Sequence, residues 1–376
     1  MPQRPSTVLC TAFEPSGDDL GAAVIAALKA RRPGTRVYAV GGPGMEAAGA
    51  TMIERTGEHA EMGLPGLGTI VDHMELNDRV DAWLATHPID LHVPIDSPAA
   101  NFPICALTKP RGAKVVHVVA PQMWAWGSWR VRKLRRLTDL VLCLLPFEPA
   151  WFRTRGVPAE FIGHPMFDAP LPPPRDLGAG APKIAVLPGS RPREFDRVLP
   201  LQLEVLRHLR AEHPGLRAVL AAVSEGSLEH CRRVAAACGG WPDSLSAEVG
   251  DVDAVLSWAD LALACSGTVT LRTLRHRTSM VVMYRVDPIG WNLIGKWLLN
   301  NSFRALPNLA AQRAIVPEYV PLEGPAAPVI AAAERLLSDP AAMDAQRSDL
   351  DAVAQSFEQH RAAEDAAAHL CAVLDR

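Results

Sequence analysis

The chain has no Cys-x-x-Cys pair. Its seven cysteines (Cys10, Cys105, Cys143, Cys231, Cys238, Cys265 and Cys371) are odd in number and dispersed, which offers no zinc-binding spacing and fits a reducing compartment. Strong charge of one sign is also missing: a net charge of -3 over 376 residues argues against nucleic acid as the main partner. The first residues, Met1-Pro2-Gln3-Arg4-Pro5-Ser6, lack the apolar core of a secretory leader. No uninterrupted apolar run reaches the roughly 20 residues that cross a bilayer. The expectation is a cytoplasmic protein, with contact at the inner face of the inner membrane left open. No internal repeat is visible. What is present is a composition of 48% hydrophobic and 21% charged residues, that of a globular α/β protein long enough for about two domains.

Short apolar runs alternate with helical patterns. Residues 8–12, 36–40, 91–95, 115–119 and 140–144 read as buried strands, with a helix over 19–31 between the first two. A second series lies near 183–187, 216–222, 261–264 and 280–284. Repeated strand-helix-strand units predict parallel sheets covered on both faces. Between the two series, Pro170, Pro172, Pro173 and Pro174 followed by Gly178 and Gly180 cannot continue a helix or a central strand. The predicted organisation is therefore a first domain over 1–168, a linker over 169–182, a second domain over 183–345 and C-terminal helices over 346–376 that pack back on the first domain. Two doubly wound domains make a cleft, and ligands in such sheets bind at the carboxyl ends of strands.

Two strand-to-helix turns in the second half are the strongest chemical signal. Leu261–Cys265 runs into Ser266-Gly267-Thr268, and Ile184–Leu187 runs into Pro188-Gly189-Ser190-Arg191. A helix starting there offers unpaired backbone N–H groups and the positive end of its dipole, which suit a diphosphate. Such turns also need Gly and Ser for purely structural reasons. The basic run Arg130–Arg136 fits a solvated helix face.

Several segments together resemble the lipid-A-disaccharide synthase family. They are Glu14-Pro15-Ser16-Gly17-Asp18, Gly41-Gly42-Pro43-Gly44-Met45, Ile95-Asp96-Ser97-Pro98, Trp124-Ala125-Trp126, Leu145-Pro146-Phe147-Glu148, Gly163-His164-Pro165, Leu187–Arg191, Ser266-Gly267-Thr268, Tyr284-Arg285-Val286 and Leu306-Pro307-Asn308-Leu309. They keep the family's order over nearly the whole chain. The resemblance implies a GT-B fold, two Rossmann-like domains facing across a cleft, the first on the acceptor side and the second binding the nucleotide sugar. It implies an inverting transfer that joins UDP-2,3-diacylglucosamine to 2,3-diacylglucosamine 1-phosphate and releases UDP, without a cofactor or metal. Asp96 matches the family's candidate base, with a plain helix cap as its alternative. Ser190, Arg191, Ser266, Gly267, Thr268, Arg272, Asn308 and Arg313 fall on the donor side. Glu14, Ser16, Gly17, Asp18 and Met62 fall on the acceptor side. His117 and His164 suit phosphate contact or ordinary hydrogen bonding, Trp124 and Trp126 an acyl groove or core packing, and the apolar loop 62–67 acyl chains, a membrane interface or burial. Implied partners are a UDP-sugar donor and an acylated sugar acceptor, not nucleic acid; a homodimer is left open.

Four positions depart from that family's pattern. Arg272 stands where the family carries an acid that contacts ribose, and guanidinium can only donate. Ala99-Ala100-Asn101-Phe102 lacks a second acid after Asp96-Ser97-Pro98, Phe13 replaces a glycine before Glu14, and Gln312 replaces a glycine after Asn308. A transferase with another nucleotide-sugar donor, and a silent paralogue that binds lipid or a partner, remain alternatives. The two Asp-x-Asp patterns, Asp251/Asp253 and Asp349/Asp351, do not end predicted strands.

Overall fold

The computed structural model describes residues 5–56, 67–285 and 303–376. They form two compact units, Met1–Asp168 with Glu358–Arg376, and Ala169–Phe357.

The first unit is built on a seven-stranded parallel sheet of β1 (Thr7–Thr11), β2 (Arg36–Gly41), β3 (Thr51–Arg55), β4 (Leu91–Pro94), β5 (Lys114–Val118), β6 (Leu140–Cys143) and β7 (Ala159–Phe161), in the order β3-β2-β1-β4-β5-β6-β7. The chain winds outward from β1 to β3, returns to the other side of β1, and winds the other way. β1 and β4 therefore flank the point where the winding reverses, which is where such sheets open a crevice at their carboxyl ends. β1 is buried along its whole length. Val8, Cys10, Val93, Ile95, Val116 and Val118 pack on one face, where Val24, Ile25 and Leu28 of helix Pro15–Arg31 meet them.

The second unit repeats the plan with β8 (Lys183–Leu187), β9 (Arg217–Ala222), β10 (Leu245–Val249), β11 (Leu261–Cys265), β12 (Ser279–Met283) and β13 (Glu318–Tyr319), in the order β10-β9-β8-β11-β12-β13. Here the reversal lies between β8 and β11, paired in parallel from Ile184↔Leu261 to Leu187↔Ala264. One local device recurs in both units. Asp90, Asp139 and Asp260 stand just before β4, β6 and β11 and accept from N–H groups at the starts of neighbouring strands: Thr7 at 2.8 Å, Val115 at 2.7 Å and Lys183 at 2.8 Å.

Two expected boundaries shift. The segment over 169–182 lies along the second unit, held by Trp258 Nε1 on the Gly178 carbonyl (3.0 Å) and Ala181 N on the Gly215 carbonyl (3.0 Å). The returning tail begins at Glu358, not residue 346. Helix Pro340–Glu358 belongs to the second unit because Gln346 pairs with both backbone groups of Met280 (2.8 and 3.3 Å). Helix Ala362–Leu374 packs on the first unit, with Ala366, Ala367 and Leu370 in its core. Among the described residues, no helix is long and apolar enough to cross a membrane.

Candidate active site

In the first unit, the carboxyl ends of β1 and β4 bring Glu14, Asp96 and Ser97 together: Ser97 Oγ donates to Glu14 Oε1 at 3.0 Å. Asp96 (φ 51°) and Ser97 (φ 36°) are both left-handed, and Val119 at the end of β5 has φ 68°. Three non-glycine residues in that region, one of them β-branched, cost of order 1–3 kcal/mol each, and such strain gathers at functional sites. Asp96 N donates to the Val118 carbonyl at 2.9 Å, which links the strained turns of β4 and β5. Ser97, not Asp96, is the N-cap of helix Pro98–Thr108, and its side chain makes no cap hydrogen bond. Burial pushes the half-buried Asp96 carboxyl above the ordinary carboxylate range, the Glu14 charge adding to it against a Ser97 backbone hydrogen bond. Desolvation of this kind turns a weak base into a better one near neutral pH.

The rest of the expected acceptor set is placed differently. Asp18 is buried under the neighbouring turn, where its two oxygens accept from Gly42 N (2.9 Å), Gly44 N (2.8 Å) and Met45 N (3.1 Å). It is a clamp on helix Pro43–Ala47, and this corrects its assignment as an acceptor-side contact. Gly42 and Gly44 are glycines because a Cβ would come within 2.5 and 2.8 Å of Asp18 Oδ2. Gly17 makes no turn; it lies inside helix Pro15–Arg31, where a Cβ would meet Ala12 Cβ at 3.3 Å, so it permits close packing on the strand end. Ser16 is exposed on the first turn. Phe13 packs on His73 with ring centroids 5.4 Å apart. Met62 and the loop 62–66 lie outside the described residues.

In the second unit, the two turns sit side by side on β8 and β11 and differ. At Gly189-Ser190-Arg191 the helix start is already occupied. Glu194 accepts from Ser190 N (2.6 Å) and Arg191 N (3.1 Å), so these N–H groups are not open to a phosphate, which corrects that expectation for the backbone. Gly189 (φ 110°) makes room for that carboxylate, since a Cβ would lie 2.3 Å from Glu194 Oε2. The Arg191 side chain remains well exposed, with Glu194 Oε1 at 3.5 Å. At Ser266-Gly267-Thr268, by contrast, helix Thr268–Arg275 starts with no side-chain cap, Gly267 and Thr268 are exposed, and a Cβ on Gly267 would meet nothing within 4 Å. Gly267 has φ 153° and ψ −163°, a conformation essentially reserved for glycine.

Arg272 reaches toward Asp253, Nε to Oδ1 3.9 Å, where His276 also meets the same oxygen at 2.8 Å. Asn308 is corrected as a donor contact. Its amide nitrogen donates to the Val316 carbonyl (2.9 Å) and Glu318 (3.0 Å), and its oxygen accepts from Ile315 N (2.7 Å) and Val316 N (2.9 Å). Wholly buried and fully bonded, it orders its own loop. Arg313 forms a two-pronged pair with Asp349 at 3.0 and 2.5 Å. Gln312 occupies a left-handed helix end (φ 53°), the position a glycine favours, and its side chain donates to the Leu309 carbonyl at 2.7 Å.

The histidines and tryptophans also separate. His164 accepts from Met166 N at 3.1 Å and is held down at about 4 by burial. His117 is buried, its ring nitrogens within hydrogen-bond geometry of no partner among the described residues, and burial likewise lowers it to about 4. Trp124 is buried and donates to Glu148 at 2.8 Å, whereas Trp126 is exposed under the Arg130 guanidinium, 3.9 Å from the ring centre. Among the described residues, no group of three or more His, Cys, Asp and Glu stands together as a metal site. Asp251 caps the helix Val252–Trp258, and Asp351 pairs with Arg277 at 2.9 Å.

Two buried amides escaped the sequence reading. Asn101 donates to the carbonyls of Ile95 (3.1 Å) and Asp96 (2.8 Å), and Gln202 to those of Leu187 (3.0 Å) and Leu263 (2.9 Å). Each sits where strands part at a winding reversal and satisfies carbonyls that the ladder leaves behind. A lone amide on an otherwise apolar helix face was the available signal.

The family model of Lipid-A-disaccharide synthetase matches residues 8–372. The lipid-A-disaccharide synthase of Alcanivorax borkumensis is 33% identical over 379 residues, covering 98% of this chain and 97% of that one. Among solved structures, the glycotransferase of kitacinnamycin superposes with a TM-score of 0.65 at 18% identity, covering 99% of this chain and all of that one. A UDP-GlcNAc 2-epimerase from Neisseria meningitidis bound to UDP-GlcNAc gives 0.60 at 10% identity, covering 98% and 99%. The structural likenesses establish the fold, that of the GT-B glycosyltransferases. With a family match over nearly every residue, the chain belongs to the lipid-A-disaccharide synthase family and is a hexosyltransferase of lipid A biosynthesis.

Proposed function

We propose that the protein joins UDP-2,3-diacylglucosamine to 2,3-diacylglucosamine 1-phosphate with inversion and release of UDP, using Asp96 as the base. The observation that carries this reading is the half-buried Asp96 carboxyl on a strained turn at the β1/β4 reversal. Asp96 takes the proton of the acceptor hydroxyl as its oxygen bonds the anomeric carbon. The bond from that carbon to the diphosphate oxygen breaks, and UDP leaves with the electron pair. The uncapped N-terminus of helix Thr268–Arg275 and the exposed Arg191 guanidinium supply positive charge for the leaving diphosphate. Acylated substrates place the reaction at a membrane surface on the cytoplasmic side. Exposed Trp126 and Trp129 beside exposed Arg132, Lys133, Arg135 and Arg136 suit such a contact.

Steady-state assay of purified protein with these two substrates tests the reading. Asp96→Asn should lower kcat by about 10²-fold or more and leave UDP affinity nearly unchanged. Because the base must be ionised, kcat/KM should rise with pH through an acid limb above the ordinary carboxylate range. Near-full turnover by the variant removes Asp96 from the mechanism.

A further inference from the structure

Behind the Asp96 turn lies a chain of hydrogen bonds with one direction. Asn101 is wholly buried on helix Pro98–Thr108, and its amide hydrogens go to the carbonyls of Ile95 and Asp96. Its oxygen is left to accept, and Thr11 Oγ1 donates to it at 2.5 Å. The single Thr11 hydroxyl hydrogen is then in use, so in the contact with His92 Nε2 at 2.9 Å the histidine donates. A neutral His92 carrying its hydrogen on Nε2 accepts at Nδ1 from Thr108 Oγ1, 3.0 Å away, a shorter contact than that of the same hydroxyl with the Cys105 carbonyl at 3.3 Å. Burial holds the His92 ring neutral, lowered to about 3, with His117 adding to the shift. All four side chains are fully buried, and they come from β1, β4 and the helix that follows β4. Only one arrangement of hydrogens satisfies the whole chain: the two carbonyls can only accept, so they fix which way the Asn101 amide faces, and Thr11, His92 and Thr108 follow.

We propose that Asn101 is a positioning residue: its amide, anchored from behind by Thr11, His92 and Thr108, holds the left-handed Asp96–Ser97 turn and so aims the Asp96 carboxylate at the acceptor hydroxyl. The proposal rests on Asp96 acting as the base. A turn of two consecutive left-handed L-residues stays in place only where its surroundings over-determine it. The two carbonyl contacts of Asn101 bracket the first of those residues. A merely structural amide would protect the fold alone, whereas one that aims the base sets the rate of the chemical step.

The test is steady-state kinetics of the full chain with UDP-2,3-diacylglucosamine and 2,3-diacylglucosamine 1-phosphate, beside thermal unfolding of each variant. Asn101→Ala should lower kcat by about 10- to 100-fold, the cost of misplacing a reacting group by an ångström or so, with both KM values within about twofold. Thr11→Val keeps the side-chain shape, removes the bond that anchors the amide oxygen, and should lower kcat several-fold in the same way. Leu370→Ala, in the core of the same unit but on the returning helix, should lower the melting temperature and leave kcat unchanged. In an Asp96→Asn background, Asn101→Ala should cost no more than about twofold further, because there is no base left to aim. Full turnover by Asn101→Ala, or by Thr11→Val if the former does not fold, overturns the proposal. So does a loss confined to KM, or one that multiplies in full in the Asp96→Asn background. Near-wild-type turnover by Asp96→Asn alone sinks the base assignment and this proposal together, a result distinct from an active Asn101→Ala beside a disabled Asp96→Asn.

Discussion

The two turns at the β8/β11 reversal share one sequence grammar, an apolar strand, Gly and Ser, then a helix, and they reach opposite states. The first fills its own helix start with the Glu194 carboxylate; the second leaves its helix start uncapped and exposed. A carboxylate three residues into a helix satisfies the same N–H groups that a phosphate would. Sequence that resembles an anion site is therefore also sequence that closes one. What distinguishes them is whether an acid stands at the third helical position, as Glu194 does and Thr270 does not.

The strongest way to break this comparison is Gly267→Val. A β-branched residue in that conformation is expected to cost about 3 kcal/mol and to displace the open helix start, lowering both the melting temperature and UDP affinity by calorimetry; retained UDP affinity would put the diphosphate elsewhere. Next is Arg191→Ala, expected to weaken UDP binding by about 2 kcal/mol through loss of a charged hydrogen bond while leaving the melting temperature alone, since the guanidinium is exposed. Unchanged affinity there would leave the open helix start as the only anion contact of the pair. Glu194→Ala removes the internal plug and should cost about 1 kcal/mol of stability as a lost cap, a fall of roughly 2–4 °C in a unit this size. A marked loss of UDP affinity without that fall would mean that Glu194 faces the ligand. The smallest effect is expected from Arg272→Ala: the side chain leans toward Asp253, so UDP affinity should stay within about twofold. A tenfold loss would make Arg272 an anion contact after all.

Much of this molecule was legible in advance because the inner strands carry continuous apolar runs. β1, β4, β8, β11 and β12 are buried along most or all of their length and stand out as short hydrophobic segments bounded by turns. The four strands that the pattern did not reveal are the four sheet edges, β3, β7, β10 and β13, whose residues are mostly half-exposed. Edges need no continuous apolar run, so Thr51-Met52-Ile53-Glu54-Arg55 does not announce itself. The site was legible in the same uneven way. Asp96 was visible because it ends an inner strand, whereas Asn101 and Gln202 were hidden as single amides on the apolar faces of their helices.

By itself the sequence determined two doubly wound sheets, the family, and the strand ends where chemistry gathers, because those follow from local periodicity and from ordered motifs. Tertiary structure alone decided which motif residues are already used inside the fold and which stay exposed. Asp18 and Asn308 sit in motifs that look like binding sites, yet Asp18 is taken up by backbone groups 24–27 residues away in sequence and Asn308 by backbone groups 7–8 residues away and the Glu318 carboxylate. Hydrogen-bonding capacity is finite, and only the folded chain shows where it has already been used.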